Sequence, residues 1–69
     1  MERKSSSISY YASFITVTAA QSPGQNAVVE SIEIDGERLD LEPGEIEPGK
    51  TLDAAIDNGL RRATSIVDF

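Results

Sequence analysis

Asp35-Gly36 separates two short runs of alternating polarity, and that arrangement leaves few folds open. Residues 28–34 read as a strand and residues 37–41 as its return, because Asp-Gly tolerates the positive φ of a two-residue turn. With these two residues as the loop, Ile34 faces Glu37, Glu33 faces Arg38 and Ile32 faces Leu39. One face then carries an apolar pair and the other an ion pair, so register and polarity agree.

The C-terminal part supplies a surface to cover this hairpin. Leu52, Ala55, Ile56, Gly59, Leu60, Ala63 and Val67 recur at helical spacing, which predicts an amphipathic helix over residues 52–67. Thr51 suits the N-cap, Asp53 and Asp57 lie in the early turns, and Arg61 and Arg62 lie further along, as the helix dipole prefers. Asp57 and Arg61 are spaced to pair. Gly59 falls on the apolar face, where a missing side chain lets the helix approach the sheet at a propensity cost of about 1 kcal/mol.

Ahead of the hairpin, residues 8–19 are rich in β-branched and aromatic side chains and read as one long strand. One face would carry Ile8, Tyr10, Ala12 and Phe14, the other Tyr11, Ile15, Val17 and Ala19. Both faces are apolar. Either a bulge near Phe14 shifts the phase, or one face packs on the helix while the other meets a second surface. Residues 1–7 are polar with a serine run and read as a mobile N-terminal arm. Residues 21–26 form a loop whose Pro23-Gly24 suits a type II turn. Residues 41–50 state a five-residue unit twice, each copy with Pro-Gly, and read as a loop too short for a repeat fold.

The expected architecture is α+β: a three-stranded antiparallel sheet, in the order β then β-hairpin, packed on one C-terminal helix. Residues 1–69 form a single domain, with 1–7 as its arm. The expected core is Ile8, Tyr10, Phe14, Ile32, Ile34, Leu39, Leu41, Leu52, Ile56, Leu60 and Ala63.

A chain of 69 residues hides only about 60% of its unfolded surface, so a small domain often needs a staple. There is no cysteine and no histidine, which removes disulfides, thiolate chemistry and the common zinc, haem and iron-sulfur ligand sets. No cofactor and no metal are expected, and self-association is the staple left. The lack of cysteine fits a reducing cytoplasm, the expected location. No apolar run approaches the roughly 18 residues of a membrane-spanning helix. Arg3 and Lys4 ahead of residues 8–20, with Val17-Thr18-Ala19 as a small-residue cleavage site, imitate a secretory leader. Ser9, Ser13, Thr16 and Thr18 interrupt that apolar stretch, which makes export the lesser reading.

Residues 44–51 satisfy the phosphate-loop pattern GxxxxGK[ST], in which backbone amides cradle phosphate, a lysine reaches its far end and a hydroxyl binds magnesium. Gly44, Gly49, Lys50 and Thr51 are the candidates. Glu45 and Glu47 put negative charge where a polyanion would sit, Pro48 lacks a donor, and 18 residues after Thr51 leave no room for the parallel sheet that carries this motif. A turn followed by a helix cap explains the match, and nucleotide binding is a remote alternative.

Charge is unevenly placed. Glu30, Glu33, Asp35, Glu37, Asp40, Glu42, Glu45 and Glu47 face a single Arg38 within residues 30–47, so this stretch carries −7 of a net −6 and the rest +1. Such a field opposes direct nucleic-acid binding, which needs a cationic face. It suits a protein partner with a basic surface, with Glu30, Glu33, Glu37, Asp40, Glu42, Glu45 and Glu47 as the contact candidates. The alternative is an acidic inhibitor of phage or bacterial type that mimics a phosphate backbone and blocks a basic cleft; a solvated acidic face is the plain explanation.

No acidic spacing matches an EF-hand, and Ser and Thr lack the histidine that usually activates them, so no catalytic centre is expected. Tyr10, Tyr11, Phe14 and Phe69 suit core or interface packing better than base stacking on a chain of negative charge. The expected function is that of a non-enzymatic protein-interaction domain. It would form a homodimer through the outer face or edge of the first strand, with Tyr11, Ile15 and Val17 as self-association residues.

Overall fold

The hairpin about Asp35-Gly36 forms in the register read from the sequence, with Glu33 opposite Arg38 and Ile34 opposite Glu37. Asp35 and Gly36 take φ of 53° and 84°, the left-handed geometry that tight turns of this kind need. The computed structural model describes residues 1–42 and 44–68, which form five elements. These are β1 (Glu2–Tyr10), β2 (Ser13–Gln21), β3 (Val28–Ile34), β4 (Glu37–Arg38) and α1 (Leu52–Val67). The strands make one antiparallel sheet in the order β1-β2-β3-β4, an α+β layout with four strands where three were expected.

The extra strand comes from the N-terminus. Residues 1–7 are not an arm, and residues 8–19 are not one strand. The chain reverses at Tyr11 and Ala12, and β1 pairs with β2 from Tyr10↔Ser13 to Glu2↔Gln21. The serines expected to be mobile are held by cross-strand hydroxyl pairs, Ser5 with Thr18 and Ser7 with Thr16, both at 2.8 Å. The Arg3 guanidinium holds Glu30 at 3.0 Å, bridging β1 and β3 over the strand between them, and Lys4 reaches Asp53 on α1.

This reversal removes the problem of a strand apolar on both faces. Ile8 pairs with Ile15 and Ser6 with Val17, so the apolar residues of both arms share one face. There is no bulge near Phe14. The ladder slips instead between Thr18/Ala19 of β2 and β3, where Ser31 and Val29 are the successive partners and Glu30 is the extra residue.

Ile15, Val17, Ala19, Ala27, Ile32, Ala55, Ile56 and Ala63 form the buried cluster between sheet and helix. Ile8, Tyr10, Ile34, Leu39, Leu41, Leu52 and Leu60 pack around it, half-buried, as the sequence reading placed them. Phe14 does not belong to it: its side chain lies on the opposite face of β2 from Ile15 and is 53% exposed.

The helix has the bounds that its periodicity predicts. Thr51 caps it, its Oγ1 accepting from the Ala54 amide at 3.1 Å, and Asp57 pairs with Arg61 at 3.1 Å. Gly59 lies where a Cβ would stand 2.7 Å from Val17 Cγ1, so the helix rests directly on β2. No helix among the described residues is long and apolar enough to cross a membrane.

β4 stops at Arg38, three residues short of the expected return strand, although the Leu39 amide still donates to the Ile32 carbonyl at 2.9 Å. The chain then leaves the sheet and comes back at Gly49, which exchanges two backbone hydrogen bonds with Ala27. On the way, the Glu45 amide closes a turn on Glu42 with Gly44 at φ 79°; Pro43, whose Pro-Gly turn was expected here, lies outside the described residues. The Pro23-Gly24 turn is closed by Gln25 donating to Ser22, with Gly24 at φ 75°.

Candidate interaction surfaces

Among the described residues, the free edge of β1 is the longest stretch of unpaired backbone in the sheet. Asp35 donates its amide to the Phe14 carbonyl, so Phe14 turns its backbone groups toward β3, and alternation turns those of Ile15 and Val17 toward β1. Their partners Ile8 and Ser6 therefore face β2. Arg3, Ser5, Ser7 and Ser9 direct their N–H and C=O groups outward, along a strand of nine residues with no proline and no bulge.

The three expected self-association residues are not together. Ile15 and Val17 are fully buried under the helix and cannot meet a partner, because the turn at Tyr11 reverses the phase on which their outward placement depended. Tyr11 stays at the surface, 84% exposed, and Phe14 joins it on the outside. The outer face of β1 and β2 is otherwise a field of hydroxyls, Ser5, Ser7, Ser9, Thr16 and Thr18, rather than an apolar patch.

At the tip of this hairpin Tyr11 adopts φ 53°, unusual for a bulky residue, with its ring edge-on to Tyr10 at 4.7 Å between centroids. Tyr10 donates its hydroxyl to both carboxylate oxygens of Asp68 at 2.9 Å. That bond holds the phenol in its neutral form, and with partial desolvation it pushes the hydroxyl from 10.0 up to about 12. Phe69, grouped with these aromatics in the sequence, lies outside the described residues.

The acidic candidates spread along the opposite side of the sheet. Glu30 is taken by Arg3, whose guanidinium its hydrogen bond and charge hold above the ordinary arginine range, and Glu45 lies 3.8 Å from Arg62. Asp35 accepts from the Phe14 amide at 2.8 Å. Glu33, Glu37, Asp40, Glu42 and Glu47 make no salt bridge among the described residues. Nor do any three carboxylates converge there as a metal site would require.

The phosphate-loop candidates are used structurally. The Gly49 amide donates to Ala27, and a Cβ at Gly49 would stand 2.5 Å from the Ala55 amide nitrogen, so this glycine is where the loop docks on the helix start. Thr51 turns its hydroxyl to the Ala54 amide, Lys50 is exposed, and Gly44 sits in the Glu42–Glu45 turn. The amides of Glu45 and Gly49 already have carbonyl partners, so they do not form the open cradle that binds phosphate.

Sequence reasoning missed a cleft between β3 and the loop of residues 41–48. It has a volume of about 320 Å³ and is lined by Val28, Val29, Leu41, Ile46 and Pro48, with Glu30 and Glu42. The signal for it is weak but present: Val28 and Val29 both apolar where alternation demands one, and Leu41 and Ile46 at equal places in the two loop units.

No protein-family model, curated protein or solved structure matches the chain, so these surfaces are weighed on their own chemistry.

Proposed function

We propose that the chain is a non-enzymatic protein-interaction domain that works as a homodimer, two copies joined antiparallel along β1. The observation that carries this reading is the open edge of Arg3, Ser5, Ser7 and Ser9. Pairing about a two-fold axis at Ser6 places Arg3 opposite Ser9 and Ser5 opposite Ser7, so every outward N–H and C=O of one copy meets its complement in the other. No like charges face each other in that register: Arg3 meets Ser9, Lys4 meets Ile8 and Glu2 meets Tyr10.

The small core gives self-association a purpose. Of its buried apolar residues Ala19, Ala20, Ala27, Ala55 and Ala63 contribute little more than a methyl each. Joining two sheets along β1 would shelter Ile8 and Tyr10, which one helix covers only in part. Sedimentation at micromolar concentration is expected to give a dimer. Ser7→Pro removes an outward amide while leaving the β1–β2 ladder its bonds, and is expected to give a folded monomer. A wild-type chain that stays monomeric, or a Ser7→Pro variant that stays dimeric, would sink the proposal.

A second reading is favoured by the acidic residues without salt bridges on the β4 side: an inhibitor that presents Glu33, Glu37 and Glu42 to a basic cleft. Binding of that kind is expected to collapse with added salt and to vanish when all three are reversed to lysine.

A further inference from the structure

β3 is held on its β4 side only near its two ends. Leu39 donates to Ile32 at 2.9 Å, and Ala27 exchanges bonds of 2.8 and 2.9 Å with Gly49. Between these anchors residues 28–31 have no backbone partner on that side among the described residues. Ala27 turns both backbone groups toward Gly49, and alternation turns those of Val29 the same way, into the cleft. Leu41, Ile46 and Pro48 form the facing wall.

We infer that this cleft receives an extended segment of a partner protein in which basic and β-branched residues alternate, added as a short strand to the open stretch of β3. Three features converge on that occupant. The unpaired Val29 groups call for another backbone in extended form. Val28, 47% exposed, with Val29, Leu41 and Ile46 gives an apolar lining suited to a side chain of valine or isoleucine size. Glu42, which makes no salt bridge among the described residues, lines the same space beside Glu30, whose charge Arg3 already pairs, and the chain's net charge of −6 draws a cationic segment while opposing an acidic one. The inference rests on the reading of a protein-interaction domain but not on the dimer, because β1 lies at the opposite edge of the sheet.

The test uses the full chain and a fluorescent heptapeptide, Gly-Arg-Val-Arg-Val-Arg-Gly, with amide shifts followed by NMR. Saturable binding is expected, with shifts at Val28, Val29, Glu30, Leu41 and Ile46. N-methylation of the central residues is expected to weaken it about tenfold by removing strand bonds, and replacing every arginine by glutamate to abolish it. Val28→Lys, at an exposed position outside the core, is expected to weaken it about tenfold as well, and Glu42→Gln about threefold. Equal affinity for the N-methylated or the acidic peptide, no binding at millimolar peptide, or shifts confined to β1 would each overturn the inference. Ser7→Pro separates the two proposals, since a monomeric variant that binds the peptide normally supports the cleft, whereas a wild-type dimer that does not bind the peptide overturns the cleft alone.

Discussion

At Gly59 a single hydrogen decides how near the helix lies to the sheet. A Cβ there would meet Val17 Cγ1 at 2.7 Å and Val29 Cγ2 at 3.1 Å, closer than carbon atoms pack. Gly59→Ala gains about 1 kcal/mol of helix propensity but overpacks a core in which such insertions cost about 1–3 kcal/mol. The expected net loss is about 1 kcal/mol, read as a lower urea midpoint; a gain would mean that the helix stands off the sheet. Tyr10 gives a second residue-scale test. Its hydroxyl bond to Asp68 raises the folded-state value to about 12 from 10.0, so the folded state keeps the proton longer than the unfolded state. The associated stability is complete below pH 10 and is lost as pH rises toward 12. Tyrosinate absorbance should show a late-titrating component that disappears in Tyr10→Phe and moves earlier in Asp68→Asn. If Tyr10→Phe leaves the alkaline titration unchanged, the Tyr10–Asp68 bond does not persist in solution.

The elements that were legible in the sequence carry their signals locally. Asp35-Gly36 marks its own turn, and Thr51 with the apolar period from Leu52 marks its own helix. The β1–β2 turn carries no such mark, because Tyr11-Ala12 contains none of the residues that tolerate a left-handed backbone, yet Tyr11 sits at φ 53°. The serine run also looks like a mobile arm by composition, and only its partners 9 to 13 residues later, Thr16 and Thr18, make it a strand. Without that reversal the alternation of residues 13–19 runs in the opposite phase and points Ile15 and Val17 to an interface, whereas both lie in the core. The free edge was anticipated, but the residues that form it were not. The turn itself can be probed. Tyr11→Gly relieves the backbone and loses the contact with Tyr10, terms of about 1 kcal/mol each that offset. Tyr11→Val adds a β-branch at positive φ and loses the same contact, and is expected to cost about 2 kcal/mol. Thermal unfolding of the two variants should therefore separate them, and equal melting would mean that the turn is not strained at Tyr11.

Across the whole molecule the strand order sets charge against charge. β1, with Arg3 and Lys4, forms one edge, while the acidic stretch of residues 30–47 runs along the other, in a body of 37 × 19 × 17 Å. Joining two copies along β1 sends the acidic sides to the far ends, where their repulsion is least. Two chains of net −6 still repel overall, and salt shortens the reach of that repulsion from about 10 Å at 0.1 M to about 3 Å at 1 M. Added salt should thus leave the dimer as tight or make it tighter, since its contacts are backbone bonds and sheltered apolar groups. The β3 cleft responds differently, because Glu42 and the net negative charge would attract its ligand through fields that salt screens. Between about 0.05 and 0.5 M sodium chloride, peptide affinity should fall about tenfold while sedimentation shows the dimer as tight or tighter. A dimer that dissociates with salt would be held by ion pairs, which the β1 register does not contain, and its interface would have to lie elsewhere on the molecule.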